Sequence, residues 1–571
     1  MNIKKFFTKE MKKIFNDNNI PASFNPVVQR NIKNNDVDYQ VNGIIRLKNL
    51  NLLSVKQLVE KITDSLKNYN IYQKIYAHKS GFVNIRLKSS WLCEHANKMF
   101  NLKNFNFEKN KIQTIVVDYS SPNIAKELHI GHLRSTILGD VTARVMKFLG
   151  YTVIRQNHIG DWGTQFGILI TQLKSQEKIS IDNIESIYQK AYLKYKNNPD
   201  FLEKTEKNVV KLQNKNAKCI KIWKLLVKRT IQKNQLIYKK LNVLLKPSDI
   251  RGESFYNFML PEIIADLKKK KIAVKDNGRV IVYLNNFKNR QGEKMGVVIQ
   301  KKNKAYLYTT TDIACLKFRG HVLKANRIIY YVDSRQKQHL LQVWEIAKKA
   351  NYVSRKMLLE HHSFGMILNK NKKPFQTRYG ETIKLMDLLT EGISRAKKII
   401  EKKNKNLTDK EITEIAENIG IGAIKYFDLS KNRASDYIFD WDQMLSLEGN
   451  TAPYIQYAYT RIQSVIKKAI LPHAMDSYKI NIFTIFERKL IMTILQFEET
   501  VHILEKKGTP HLMCNYLYEL AGKFSNFYEN CSILFVRETH IKVSRIKLSI
   551  LTAKIIKKGL YLLGINTVPV M

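Results

Sequence analysis

Residues 111–157 read KIQTIVVDYSSPNIAKELHIGHLRSTILGDVTARVMKFLGYTVIRQN. The β-branched run KIQTIVVDY has strand length and ends in the turn-forming Ser120-Ser121-Pro122-Asn123. In HLRSTILGDVTARVMKFLG, Leu133, Ile137, Val141, Val145 and Phe148 recur at helical spacing, and Gly150 stands where a C-terminal cap belongs. YTVIRQN supplies a second strand. Strand, helix and strand within about 45 residues predict a βαβ unit, so a parallel, doubly wound sheet begins here.

Working outward, Ile3, Phe7, Met11 and Ile14 share one face of an amphipathic helix. A mixed segment with IIRLKNL, a helix in SVKQLVEKITDSLK and a terminal strand in GFVNIRL follow. Residues 1–105 thus read as an N-terminal α+β domain, and the Asn- and Lys-rich stretch from Asn101 to Lys111 as a linker. The α/β domain is expected over 106–390, with a Lys-rich helical insertion near 180–250. Strand-like pieces return in GRVIVYL, MGVVIQ, AYLYTTTDIA, RIIYYVD and SFGMIL, consistent with the second half of the same sheet. After about Leu385 the pattern is helical, with a connecting region over 391–450 and an all-α bundle over 451–571.

The whole chain sets the bounds. Its 571 residues predict three or four folded units, and 44% hydrophobic with 10% aromatic residues exclude disorder and disulfide-stapled mini-folds. Lys and Arg total 97 against 49 Asp and Glu, a net charge of +48. One reading is a polyanionic partner such as nucleic acid; the other is compositional drift toward Lys, Asn and Ile. Over residues 451–571 sixteen basic residues face eight acidic ones, the balance of the whole chain, so the excess locates no partner. Five scattered cysteines without a C-x-x-C argue against disulfides or structural zinc and favour a reducing cytoplasm. Charges interrupt the N-terminus before any apolar run of signal-peptide length, and no stretch approaches the roughly 20 apolar residues a membrane span needs.

Ser120 to Ser135 carries the chemistry. It lies where a strand ends and a helix begins, the place at which open α/β sheets bind ligands and free backbone N–H groups bind phosphate. Gly131 permits close approach by a flat base or a phosphate. His129 and His132, three apart in the first helical turn, can both donate to phosphoryl oxygens as charge develops. A pair of surface or capping histidines is the bland alternative, and zinc lacks a third ligand nearby in sequence.

The string HIGH after such a strand resembles the nucleotide-binding motif of class I aminoacyl-tRNA synthetases. The wider block SSPNIAKELHIGHLRSTILGD and GDWGTQFG at Gly160 to Gly167 are closest to the arginyl-tRNA synthetases. AYLYTTTDIA, YYVDSRQKQHL, HHSFGMIL, DLSKNR with DYIFDWD, and EGNTAPYIQYAYTRI agree in order, and the resemblance runs essentially full length. It implies a Rossmann-type catalytic domain, an N-terminal additional domain and an anticodon-binding bundle.

The resemblance also implies roles. Asp312 and Glu253 pair with the arginine guanidinium beside Tyr308, while Asn123, His129 and Gln336 hold the ammonium and carboxylate end. If the segment turns helical after a strand, Tyr308 and Asp312 share a face. ATP lies against Gly131, His132, His339 and the backbone of Met366 and Ile367. The mobile KMSK loop of most class I synthetases is absent; KKPFQTRYGETIKL, Lys372 to Leu385, matches the divergent loop of the arginine family, with Gln376 where many members carry Lys, and the resemblance implies that Lys126 supplies the missing charge. A site of this kind needs cations and positioning rather than a nucleophile. Phe82 and Asn84 read the D-loop of the tRNA, and Tyr454, Tyr457, Tyr459 and Arg461 suit stacked anticodon bases, although Tyr at helical spacing also fits a core. Trp162 either lines the site or packs beneath it.

The expected reaction is ATP-dependent arginylation of arginine tRNA through arginyl-adenylate, with Mg²⁺ accompanying ATP and no structural metal. The expected partners are L-arginine, ATP and tRNA, with no membrane, and the resemblance favours a monomer that activates arginine only with tRNA bound. A synthetase for another amino acid and an inactive paralogue that only binds RNA are the rivals. The first, for cysteine, lacks its zinc-ligating cysteines; the second would have lost the HIGH histidines or Asp312.

Overall fold

The computed structural model describes residues 2–21, 23–31, 36–43, 55–67, 69, 71–78, 82–102, 105, 107, 113–124, 126–174, 184–288, 292, 294–375, 382–404, 406–469 and 475–570. Helix α1 (Ile3–Asn16) buries Ile3, Phe7, Met11 and Ile14 as their spacing predicts, and Asn2 caps it by accepting from the Lys5 amide at 2.8 Å. Strands β1 (Val28–Arg30), β2 (Tyr39–Val41), β3 (Tyr72–Ala77) and β4 (Val83–Leu87) pair antiparallel in the order β1-β2-β4-β3, with α2 (Val55–Lys67) preceding β3. IIRLKNL and most of the expected linker lie outside the described residues. Helix α3 (Ser89–Asn101), which buries Trp91, Leu92, Ala96 and Met99 ahead of that linker, was not anticipated, nor were β1, β2 and β3 as separate strands.

The βαβ unit forms as expected from β5 (Thr114–Asp118), α4 (Ile130–Phe148) and β6 (Thr152–Gln156), the strands parallel with Thr114 opposite Thr152. The insertion folds as helices around its own core. α5 (Thr164–Lys174), α6 (Ile184–Asn197), α7 (Pro199–Gln213) and α8 (Ala217–Lys240) meet at Phe166, Leu169, Leu212, Cys219 and Leu226. Its expected start at Ser180 is outside the described residues.

The second half of the sheet departs from expectation. After α9 (Leu260–Lys269), GRVIVYL and MGVVIQ fall in β8 (Arg279–Lys288) and β9 (Lys294–Gln300), which with β7 (Val274–Asp276) make a separate antiparallel sheet. Short connections dictate this, because parallel neighbours need a long crossover. Asn277 and Gly278, at φ 47° and 77°, turn β7 into β8 in the left-handed conformation that hairpin turns require. AYLYTTTDIA contributes no strand to the parallel sheet; α10 (Tyr308–His321) begins within it.

β10 (Arg327–Tyr330), α11 (Lys337–Lys349) and β11 (Leu358–His361) complete the parallel sheet in the order β11-β10-β5-β6. The order reverses between β5 and β10, and ligands of open α/β sheets bind outside the strand ends at such a switch point. SFGMIL lies off this sheet: β12 (Ile367–Leu368) pairs with β13 (Tyr437–Ile438).

The rest is helical, through α12 (Leu385–Lys403), α13 (Asp409–Leu429), α14 (Trp441–Leu445), α15 (Ala452–Lys468), α16 (Ile485–Leu495), α17 (Phe497–Lys507), α18 (His511–Asn530) and α19 (Thr539–Leu562). One continuous core runs from α1 through α4 to α19. Where α4, α8, α13 and the end of α19 converge, buried Lys425 donates 2.6 Å bonds to the carbonyls of Leu241 and Gly564. Beside it Arg144 pairs with Asp140 at 2.7 Å and donates to the Asn242 carbonyl. Lys425 thereby caps carbonyls at the ends of α8 and α19, with Asn242 Nδ2 adding a 3.3 Å bond to that of Gly564.

Candidate active site

β5 leads into a turn that few side chains tolerate: Ser120 and Ser121 are both left-handed, at φ 71° and 44°. Side chains from four elements hold it. The Ser120 amide donates to Ser135 Oγ at 3.0 Å, the Ser121 amide to Asn157 Oδ1 at 2.9 Å, and Ser121 Oγ to Asp118 Oδ1 at 2.8 Å; Ser120 Oγ meets the Tyr238 hydroxyl at 2.8 Å. The turn presents Asn123 over Gly160, where the Asn123 amide oxygen occupies the space a Cβ would need; this is why GDWG must begin with glycine.

α4 starts at His129. The Gly131 amide donates to His129 Nδ1 at 3.1 Å, and the His129 amide donates to His132 Nδ1 at 3.2 Å, a reciprocal cap with the rings 4.1 Å apart. A Cβ on Gly131 would come within 2.8 Å of the His129 ring. Each Nδ1 is an acceptor, so each neutral ring carries its proton on Nε2. Burial, with Lys126 adding to it, lowers the His129 pKa, and burial together with His129 takes His132 to about 3. Both rings are therefore neutral donors.

These residues line a cavity of about 440 Å³ with Met366, Ile367 and Phe375. Met366 commits its amide to Asp436 Oδ1 and its carbonyl to the Tyr437 amide, and the Ile367 carbonyl accepts from Phe375. Buried Arg134 fixes that wall to α4 by donating to the carbonyls of Gly365 and Ser435 at 2.8 and 3.0 Å while pairing with Asp428. Among the described residues no cluster of three metal-ligating side chains occurs.

A second cavity of about 440 Å³ adjoins the first and shares Ser121, Asn123, Val332, Arg335 and Gln336 with it. Its floor is acidic. Asp312 and Tyr308 lie one turn apart on α10, the juxtaposition expected from their spacing. Burial works against the Asp312 carboxylate, but hydrogen bonds from His158 and His339 hold its pKa well below the usual range. Glu253 faces the same cavity, and burial raises it to about 7, with Asp312 and Asp161 adding to the rise and His158 opposing it. Two further carboxylates are already compensated. Asp118 pairs with buried Arg319 at 2.6 Å, and Asp161 accepts from the Ser254 amide and hydroxyl at 2.9 and 2.6 Å.

Most of the sequence-derived residues come together here, with one relocation. His339, expected beside adenine and ribose, lines the acidic cavity, its Nε2 2.6 Å from Asp312 Oδ2 and its ring 4.9 Å from that of Tyr308. His158 was missed: it lies two residues after β6, where the rule that ligands gather at carboxyl ends of parallel strands marks the position but not its partners. Lys126 is exposed just before the histidine pair. Gln376 lies outside the described residues, but the strand after it is fastened to the motif: Ile130 donates to the Ile383 carbonyl at 3.0 Å and Leu385 to that of Leu128 at 2.8 Å. Glu127 adds ion pairs to Lys233 at 2.9 Å and Lys384 at 2.8 Å.

Farther away the outcome is mixed. Asn84 is buried in β4 and accepts from Gln40 Nε2 at 2.8 Å, so its side chain faces a neighbouring strand; Phe82, just before β4, is partly exposed. On α15, Tyr457 is exposed, Tyr454 lies against Tyr518 with rings 5.4 Å apart, and Arg461 sits 4.4 Å over the Tyr528 ring. Tyr459 belongs to the core. Trp162 packs edge-on against Trp223 in the insertion.

Three family models match the chain: "Arginyl tRNA synthetase N terminal domain" over residues 1–87, "tRNA synthetases class I (R), catalytic domain" over 96–441, and "DALR anticodon binding domain" over 455–571. The chain is 67% identical to an arginine--tRNA ligase of Buchnera aphidicola subsp. Cinara cedri across 571 residues, all of both sequences. It is 53% identical over 550 residues, 96% of each, to that of the subspecies Acyrthosiphon pisum. The solved arginyl-tRNA synthetase of Plasmodium falciparum superposes with a TM-score of 0.85 at 31% identity, covering 100% of this chain and 99% of that one.

Proposed function

The chain belongs to the arginyl-tRNA synthetases, class I enzymes, and from that membership we propose how its residues divide the work of charging arginine tRNA. The protein is an arginine--tRNA ligase: the arginine carboxylate attacks the α-phosphate of ATP, giving arginyl-adenylate and pyrophosphate, and the arginyl group then passes to the 2′-hydroxyl of the terminal tRNA adenosine.

The observation that carries our assignment is the acidic cavity opening directly onto the histidine-lined one. Asp312 and Glu253 take the guanidinium, with Tyr308 beside it, because a planar fork of donors is matched by carboxylates. Asn123, Gln336 and His129, at or near the shared wall, hold the ammonium and carboxylate. ATP occupies the other cavity along Gly131, His132 and the Met366–Ile367 backbone. His339 moves from the nucleotide set to the arginine pocket, on the strength of its bond to Asp312. The Nε2–H groups of His129 and His132 donate to phosphate oxygens as charge builds in the transition state, and Lys126 contributes positive charge. Magnesium enters with ATP, held by phosphates and water, since a hard cation of this size keeps several waters.

For the tRNA we propose Phe82 on the N-terminal domain and Tyr454, Tyr457 and Arg461 on the bundle, with Asn84 shaping β4 from within. The domains in this reading span 1–105, 106–390, 391–450 and 451–571. We infer a cytoplasmic monomer.

Arginine-dependent exchange of pyrophosphate into ATP, run with and without tRNA, tests the reading. Exchange is expected only with tRNA. Absence under both conditions overturns the active-site assignment, and exchange without tRNA overturns the tRNA requirement.

A further inference from the structure

His158 stands at the inner end of the acidic cavity, and the atoms it faces fix its charge. Its Nδ1 lies 3.0 Å from the Arg251 carbonyl oxygen and its Nε2 3.2 Å from Asp312 Oδ1. A carbonyl oxygen can only accept, and so can an ionised carboxylate, so both ring nitrogens must carry protons. The surroundings agree. Burial opposes the charged form, but the hydrogen bond and charge of Asp312, with the Asp118 carboxylate behind it, hold the imidazole well above its ordinary range; Cys315, itself pushed up by burial, is a neutral thiol and adds no charge.

The two oxygens of Asp312 are consequently unlike. Oδ1 faces a partly buried cation tethered from behind by backbone. Oδ2 faces His339 Nε2 at 2.6 Å, and His339 leans on the exposed Tyr308 ring. Glu253, lining the same cavity, has no hydrogen bond from a described side chain. An incoming guanidinium can replace His339 at Oδ2 and satisfy Glu253, whereas it cannot replace an imidazolium that is bonded at both ends.

Resting on the arginine assignment above, we propose that His158 is a positioning residue: a fixed imidazolium that immobilises Asp312 through Oδ1 and reserves Oδ2 for the guanidinium, with His339 as the placeholder that arginine displaces. The charge also keeps Asp312 ionised beside Glu253, Asp118 and Asp161, where like charges would otherwise favour its protonation. A glutamine carries both of its N–H donors on one nitrogen, so it cannot be tethered from behind at Arg251 while donating forward to Asp312 as the two ring nitrogens do, and it supplies no charge.

The test compares His158→Gln with Asp312→Asn by pyrophosphate exchange in the full-length enzyme with tRNA bound. His158→Gln should raise the KM for arginine about 10- to 100-fold, the range expected for losing a charge-assisted bond, with kcat within about threefold and the KM for ATP unchanged. If Asp312→Asn raises the arginine KM and His158→Gln does not, the positioning role is overturned and the pocket stands. If neither raises it, the pocket assignment falls as well. Wild-type protein labelled with ¹⁵N-histidine gives a readout that folding defects cannot mimic. One histidine should keep both ring nitrogens protonated up to about pH 8.5, far above the ordinary histidine pKa. If every histidine titrates to a neutral tautomer below that pH, the proposal is overturned.

Discussion

Glu253 is the residue whose ionisation the substrate should control. Burial raises its pKa to about 7, so near neutrality it is a mixture of acid and carboxylate. A bound guanidinium favours the carboxylate, so binding expels a proton and affinity must fall as pH drops below about 7. The arginine KM, measured from about pH 8 down to about pH 6, should rise toward the acid end, and Glu253→Gln should raise it throughout while flattening that slope; a parallel slope in the variant would assign the titration elsewhere. His132, held at about 3, stays neutral over this interval and adds no slope, and burial moves His129 in the same direction. At this scale the sequence revealed identities better than environments. Asp312, Glu253 and Tyr308 were legible from motif order, and the i, i+4 spacing placed two of them. His158 was not, since its partners Arg251 and Asp312 lie 93 and 154 residues away in sequence. The burial of Asn84 was hidden for a similar reason: alternation in a strand does not say which residue meets Gln40 on a neighbour.

Helix α4 is the element on which the site depends. Its first turn is the histidine cap, and its buried length carries Arg134, which anchors the Gly365 wall, and Asp140 with Arg144. The Ile383–Leu385 segment fastens alongside, bringing the end of the divergent loop to the same place. Lys126 enters this assembly from the turn ahead of α4, exposed and close enough to lower the His129 pKa. Lys126→Ala should therefore slow arginine activation about 10- to 100-fold in single-turnover assays and leave arginine binding nearly unchanged, as expected for charge that acts on the transition state. A loss confined to binding would place Lys126 outside the phosphate site. Elements with strong periodicity, such as α1 and the β5–α4–β6 unit, were legible from sequence. The β8–β9 hairpin was assigned to the wrong sheet because apolar runs of strand length look alike in either, although Asn277-Gly278 already signalled a tight antiparallel turn. β11 escaped because Leu-Leu-Glu-His is too short to show a period.

Across the whole molecule, the N-terminal sheet is bolted to the C-terminal bundle by a buried pair. Arg488 on α16 reaches both Asp38 oxygens at 2.9 and 2.7 Å and the Leu87 carbonyl at 2.9 Å. Removing one partner leaves an uncompensated buried charge, a loss of about 3–5 kcal/mol. Arg488→Ala should lower the unfolding midpoint and release the N-terminal domain sooner in limited proteolysis; an unchanged midpoint would show that water reaches Asp38. The net charge of +48 has no such address, since basic residues are spread evenly through the bundle and beyond. The other bolt is Lys425, whose burial lowers its pKa to about 7 and whose amine is held by carbonyls at Leu241 and Gly564. Because α4 carries the histidine cap at its first turn and Asp140 with Arg144 farther along, the amine of Lys425 links the far end of the catalytic helix to the closing turns of α8 and α19, so a disturbance at those two distant carbonyls has a rigid path to the nucleotide cavity.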